Sequence, residues 1–90
     1  MLLFFYGTEC PHCKRMEPLV TQLEADLKVK FERKETWHDD ANAQLLATYD
    51  PDGMRCGGVP FFFNTESNQW LCGETDSDQL KAWALGKGTT

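Results

Sequence analysis

The stretch that decides the fold is residues 1–13, MLLFFYGTECPHC, in which an apolar run is followed at once by two cysteines three positions apart. Residues 2–6 are continuously apolar over the length of a strand, and Gly7 ends the run. A short apolar run bounded by a turn residue is typical of a strand buried on both faces. We therefore predict that a core strand leads directly into the cysteine motif.

Beyond the strand the pattern changes to that of a helix over about residues 11–27. Cys10 is the expected N-cap, and Pro11 occupies the first helical position, where a missing N–H is tolerated. The apolar positions at helical spacing are Met16, Leu19, Val20, Leu23 and Leu27. Two thiols on the first turn of a helix can close a small disulfide ring, and the helix N-terminus stabilises a thiolate at the first. This is the chemistry of thiol-disulfide exchange.

The remaining elements follow from periodicity and turn residues. Alternation predicts a strand over residues 29–35, and Asp39 or Asp40 can cap a helix that ends near Tyr49. The further expected elements are a hairpin of residues 61–63 with 69–72 and a helix over 77–85. The order β-α-β-α-β-β-α predicts one α/β domain over residues 1–90, with a central mixed four-stranded sheet flanked by helices. Phe4, Phe5, Phe61, Phe63 and Trp83 are its expected core aromatics.

The composition limits the classes of function. Ninety residues allow one small domain with a modest core. The net charge of −5, with acidic residues spread along the chain, argues against nucleic-acid binding, which needs a basic stripe. No run approaches the roughly 18 apolar residues of a membrane helix. The opening run also lacks the basic region and cleavage pattern of a signal peptide, so we expect a cytoplasmic protein that does not contact membranes. We also expect a monomer.

The cysteine motif, Pro18 within the first helix and Gly58-Val59-Pro60 before a strand together resemble the thioredoxin superfamily over essentially the whole chain. The resemblance implies a thioredoxin-like domain with thiol-disulfide oxidoreductase activity on protein disulfides or dithiols. It also implies a cis bond before Pro60, which would face the cysteine pair. Pro11, Val59 and Pro60 are then the expected substrate-binding residues.

Cys10 is the expected attacking thiol because it caps the helix, and Cys13, one turn inside, is expected to be less exposed and to resolve the mixed disulfide. The alternatives are an inert buried pair or half of a zinc site. A zinc site would need further ligands at suitable spacing, and Cys56, Cys72 and His38 are isolated in the sequence. We therefore expect no bound metal.

His12 is the third expected catalytic residue. An imidazolium beside the Cys10 thiolate would stabilise the reduced form and make the disulfide more oxidising. The same Pro-His dipeptide occurs in the DsbA class of disulfide oxidases, which this motif resembles. Glu9 would oppose the effect, while Lys14 and Arg15 would add positive charge. The alternative is a solvated surface histidine whose charge is screened.

Phe4 stands where thioredoxins carry a buried Asp, so the resemblance leans toward glutaredoxins. Glutathione is then a possible co-substrate, with no cofactor bound, and its expected contacts are Val59, Thr75 and Asp76. The electron partner would be glutathione or a reductase. Three alternatives remain open, namely a glutathione-linked glutaredoxin, a glutathione-dependent iron-sulfur carrier and a non-catalytic interaction domain.

Two cysteines lie outside the motif. Cys56 precedes Pro60 by four residues in a glycine-rich stretch, which would allow it to act as a third exchange thiol. Cys72 ends the last predicted strand. In a reducing compartment, cysteines seldom form a structural framework, and free cysteines commonly behave as small hydrophobic residues. We expect that simple role for each, and we expect Trp37 to line the substrate groove.

Overall fold

The computed structural model describes residues 1–87, so the last three residues of the predicted domain lie outside the described part. The elements, in chain order, are β1 (Leu2–Tyr6), α1 (Pro11–Leu27), β2 (Phe31–Glu35), α2 (Asp40–Tyr49), a short 3-10 turn (Pro51–Gly53), β3 (Phe61–Asn64), β4 (Gln69–Cys72) and α3 (Ser77–Ala84). The predicted order of strands and helices is confirmed. β3 and α3 each end one residue from the predicted position.

The strands form one mixed four-stranded sheet in the order β2-β1-β3-β4. β1 runs parallel to β2 and antiparallel to β3, and β4 pairs antiparallel with β3 at the edge. In this register Phe4 lies opposite Phe62, and Phe61 lies opposite Cys72. β1 is therefore a central strand, which explains why its sequence is apolar on both faces.

Alternate residues of β1 enter two separate cores. Phe4 packs with Phe62, Trp83 and the apolar positions of α1 on one face of the sheet. The Phe4 and Phe62 rings stack with their centroids 4.9 Å apart. All five predicted core aromatics are buried. Because α1 and α3 both pack into this core, they cover the same face of the sheet.

The second core covers the opposite face and belongs to α2. Its buried members are Leu3, Phe5, Phe61 and Phe63. Leu45, Leu46 and Tyr49 of α2 pack against them but are only partly buried. This helix therefore covers its face of the sheet less completely than α1 and α3 cover theirs.

β2 begins two residues later than predicted. Lys28 ends α1 in the left-handed conformation, with φ 54°, and the N–H of Val29 still donates to the Glu24 carbonyl. The helix cap therefore occupies the residues that alternation had assigned to the strand. The guanidinium of Arg33 in β2 then binds the carboxylates of Glu17 and Glu24, which ties α1 to the sheet.

Across residues 1–87, none of the helices has the length and apolar character needed to cross a membrane.

Candidate active site

The two cysteines of the motif lie at the start of α1. Cys10 is its N-cap in an extended conformation, as predicted, and its N–H donates to the Gly7 carbonyl at 3.0 Å. The N–H of Cys13 donates to the Sγ of Cys10 at 3.3 Å. Both cysteines are free thiols. A backbone donor of the first helical turn is thus aimed at the Cys10 sulfur, where it would stabilise a negative charge.

The two thiols are almost equally buried, at 3% exposure for Cys10 and 2% for Cys13. The expected difference in exposure is therefore negligible, because both side chains join the core between the sheet and α1. Their environments still differ. Burial, followed by the hydrogen bond with Cys10, raises the pKa of Cys13 from 9.0 to about 12. Cys13 is consequently a protonated thiol at neutral pH.

The segment before β3 closes over the motif. The Val59–Pro60 bond is cis, as predicted, and Pro60 is buried. The thiol of Cys10 donates to the Val59 carbonyl, with 3.8 Å between Sγ and the oxygen. The Pro60 carbonyl in turn accepts from the N–H of Gly73 at 2.8 Å. The structure thus brings Val59 and Pro60 to the cysteine pair and connects them to the residue after β4.

His12 is exposed but has partners. Its Nδ1 lies 2.7 Å from Oε2 of Glu74, and Nε of Arg15 donates to Oε1 of the same carboxylate at 2.7 Å. The hydrogen bonds from Arg15 and then His12 lower the pKa of Glu74 to about 2. A carboxylate that is ionised at neutral pH can only accept. The Glu74 carboxylate therefore accepts from Arg15 and lies within hydrogen-bond distance of His12, and Nη2 of Arg15 also lies 3.0 Å from Nδ1 of His12.

Glu74 is the functional candidate that sequence reasoning missed. It is separated from His12 by 62 positions, and no local pattern connects the two. Its nearest signal was its position after the last predicted strand. His12 is 58% exposed, as the alternative of a solvated surface histidine requires, and it has Glu74 as a partner.

Glu9, the expected opponent of His12, is itself paired. Nε2 of His38 lies 2.7 Å from Oε1 of Glu9. This hydrogen bond raises the pKa of His38, which favours its cationic form. The negative charge immediately before Cys10 is therefore partly offset by a residue that had been considered only as a metal ligand.

Thr75 and Asp76 serve α3 in the structure. The Asp76 carboxylate caps the helix by accepting from the N–H of Gln79 at 2.8 Å, and the Thr75 hydroxyl donates to Oε1 of Gln79 at 2.7 Å. Their hydrogen bonds run to the helix rather than to the cysteine pair. Pro11, the other expected contact residue, is exposed at the first turn of α1.

Trp37 lies over Gly7, the residue that ends β1. The indole is 51% exposed, and a Cβ at Gly7 would overlap its ring. Trp37 therefore forms part of the surface beside the loop that leads to Cys10. Its expected contact with substrate stays a prediction.

Cys56 and Cys72 form a disulfide, with their Cα atoms 5.3 Å apart. The expectation that each is a free, small hydrophobic residue was wrong. The reason is the register of the hairpin. Phe61 pairs with Cys72, so the segment that enters β3 passes beside the end of β4. The hairpin had been predicted, and its register was the signal that would have brought the two cysteines together.

Among residues 1–87, no three His, Cys, Asp or Glu side chains are grouped so that they could hold a metal ion. No family model matches the sequence, and no curated protein matches it.

Proposed function

We propose that this protein is a thiol-disulfide oxidoreductase of thioredoxin-like fold, with Cys10 as nucleophile and Cys13 as resolving thiol. The observation that carries the proposal is the hydrogen bond from the Cys13 N–H to the Cys10 Sγ at 3.3 Å. It places the first sulfur at a helix N-terminus, where a thiolate is stabilised. The raised pKa of Cys13, about 12, makes the second sulfur the poorer initial nucleophile.

The reaction follows from this division. The Cys10 thiolate attacks one sulfur of a substrate disulfide, which breaks that bond and releases the other sulfur as a thiolate. Cys13 then gives up its proton and attacks the Cys10 sulfur of the mixed disulfide. The substrate leaves as a dithiol, and Cys10 and Cys13 are left oxidised by two electrons. Val59 and Pro60, beside Cys10, are the residues that an extended protein substrate would meet.

The sheet order, the flanking helices and the cis bond before Pro60 support the thioredoxin-like assignment. A reducing compartment such as the cytoplasm is where Cys10 and Cys13 would be returned to the dithiol form. Protein disulfides are the proposed substrates. Experiment distinguishes whether glutathione or a separate reductase is the electron donor. It also decides whether the protein binds an iron-sulfur cluster.

The test uses two variants of the full chain. Cys13→Ser keeps the nucleophile and should accumulate mixed disulfides with a protein disulfide such as insulin, whereas Cys10→Ser should form none. Cys56→Ser/Cys72→Ser is the matched control. Because it keeps Cys10 and Cys13, it should accumulate no mixed disulfide, whatever its rate of exchange. Faster alkylation of Cys13 than of Cys10 in the reduced protein would overturn the assignment. A vestigial motif would give no exchange in any variant.

The electron donor is identified by a second comparison. Turnover supported by glutathione and glutathione reductase, and not by a thioredoxin reductase, would indicate a glutaredoxin. A coloured cluster after anaerobic reconstitution with iron, sulfide and glutathione would instead indicate a glutathione-dependent iron-sulfur carrier.

A further inference from the structure

The Cys56–Cys72 disulfide joins two segments next to the cysteine motif. Cys56 lies in residues 53–60, which we call the Pro60 loop, and Cys72 ends the edge strand β4. The Sγ of Cys56 is 4.0 Å from the Pro60 carbonyl oxygen. One residue before Pro60, the Val59 carbonyl contacts the Cys10 thiol. The disulfide therefore holds the same short segment that closes over Cys10.

Other interactions also hold this loop, and one of them reaches Pro60 itself, whose carbonyl accepts from the Gly73 N–H. The buried carboxylate of Asp50 accepts from the N–H groups of Arg55, Cys56 and Gly57. The guanidinium of Arg55 lies over the Trp70 ring, 4.2 Å from its centroid. These contacts would remain after the disulfide is opened. Opening it should therefore loosen the Pro60 loop without detaching it.

The disulfide is also open to attack. Cys72 is exposed on the edge strand of the sheet, and Cys56 is only partly buried. In a reducing compartment, disulfides are usually transient and either catalytic or redox-sensing. Exposed disulfides tend to be labile or regulatory, whereas purely structural ones resist the glutathione pool.

We propose that Cys56–Cys72 is a second redox site, reduced by low-molecular-mass thiols, whose state determines how rigidly the Pro60 loop is presented to a protein substrate. The inference rests on the proposed function only for the role of the loop at Cys10. The redox chemistry of the second pair stands independently of it.

The electrons balance with a monothiol as reductant. A thiolate attacks the sulfur of Cys72, the more exposed residue of the pair, the bond to Cys56 breaks, and Cys56 leaves as a thiolate that takes up a proton. A second thiolate attacks the external sulfur of the mixed disulfide and releases Cys72. Two thiols are oxidised to one disulfide, and Cys56 and Cys72 gain two electrons and two protons. Oxidised glutathione reverses the sequence.

The first experiment isolates the second pair in the full chain with Cys10→Ser/Cys13→Ser. This variant is equilibrated in buffers of reduced and oxidised glutathione, alkylated and weighed by mass spectrometry, with circular dichroism to follow folding. We expect two alkylated thiols to appear together within the range of glutathione ratios while the protein stays folded. A pair that remains oxidised at every ratio until denaturant is added would be a structural staple and would overturn the proposal.

The second experiment measures the effect on the loop. Cys13→Ser and Cys13→Ser/Cys56→Ser/Cys72→Ser each carry Cys10 as their free thiol. Ordering one additional backbone residue on binding costs roughly tenfold in affinity. We therefore expect the triple variant to form mixed disulfides about tenfold more slowly with a peptide disulfide and at an unchanged rate with a small aromatic disulfide. Equal rates for the two variants on both substrates would contradict the proposed role of the loop.

Hydrogen exchange tests the effect of the disulfide on the Pro60 loop even if the triple variant does not fold. In Cys10→Ser/Cys13→Ser, reduction of the remaining pair should speed exchange of the hydrogen-bonded amides of Cys56, Gly57 and Gly73 and leave the central strand β1 protected. Unchanged exchange at these three amides would overturn the proposal. A Cys13→Ser variant that reacts with neither the peptide disulfide nor the small aromatic disulfide would refute the proposed function. The glutathione titration would still decide whether Cys56–Cys72 is a redox site.

Discussion

Oε2 of Glu74 lies 2.7 Å from Nδ1 of His12, although the two residues are 62 positions apart in the chain. Arg15 closes the cluster from the same helix turn as His12. The position of the imidazole beside the cysteine motif is thus fixed from the segment after β4.

Replacing His12 with Ala should make the Cys10/Cys13 pair more reducing, because a cation that stabilises the reduced form is lost. His12 is exposed, so the shift should be about 20 mV or less. Equilibration of wild type and variant with glutathione buffers measures it. An unchanged potential, or a more oxidising one, would refute the role of His12 and leave the two-cysteine mechanism intact.

Glu74→Gln provides the matched test of positioning. It removes the charge that orients His12 but keeps a side chain of the same size. In this background, His12→Ala should shift the potential less than it does in wild type, because the imidazole is no longer held. Equal shifts in the two backgrounds would show that Glu74 does not act through His12.

The stability of the reduced protein should depend on Cys13 in alkaline solution. Burial, then the hydrogen bond with Cys10, raises its pKa from 9.0 to about 12. The folded state therefore binds the proton more tightly than the unfolded state, so this contribution is complete below about pH 9 and is lost as the pH rises toward 12. Denaturant unfolding of reduced wild type between these pH values should show a steeper loss than Cys13→Ala. Parallel curves would contradict the raised pKa.

Asp50 should be needed for the conformation of the Pro60 loop. Its side chain is 5% exposed and accepts three backbone hydrogen bonds, which lower its pKa despite the opposing effect of burial. Asp50→Asn should reduce the free energy of unfolding by about 1–3 kcal/mol. Because the pKa is lowered, the contribution of Asp50 is present at neutral pH and is lost as the pH falls through its folded value. Asp52→Asn, an exposed neighbour, is the control, and equal losses in the two variants would refute the prediction.

Gly7 should tolerate no side chain while Trp37 keeps its position. A Cβ at Gly7 would overlap the Trp37 ring, and overpacking typically costs about 1–3 kcal/mol. Gly7→Ala should therefore lower the free energy of unfolding by about that amount. Gly58→Ala is the matched control, because a Cβ there meets no atom within 4 Å. If thermal unfolding shows the same loss of stability in both variants, overlap with the Trp37 ring is not the cause of the loss.

The fold was largely predictable because its signals are local. The apolar run of β1, the helical spacing of α1 and the turn between β3 and β4 each depend on neighbours within a few residues. The order of elements and the capping role of Cys10 followed from these patterns. The start of β2 did not, because the left-handed Lys28 belongs to the helix cap rather than to the alternation.

By itself, the sequence determined the placement of Cys10 and Cys13 at the start of a helix, and with it the class of chemistry that the site can support. Only the tertiary structure decided what surrounds them. The hairpin register brought Cys56 to Cys72, and the return of the chain after β4 brought Glu74 to His12. Such pairs form where strands and helices dock, so their spacing along the chain carries no local pattern from which they could be inferred.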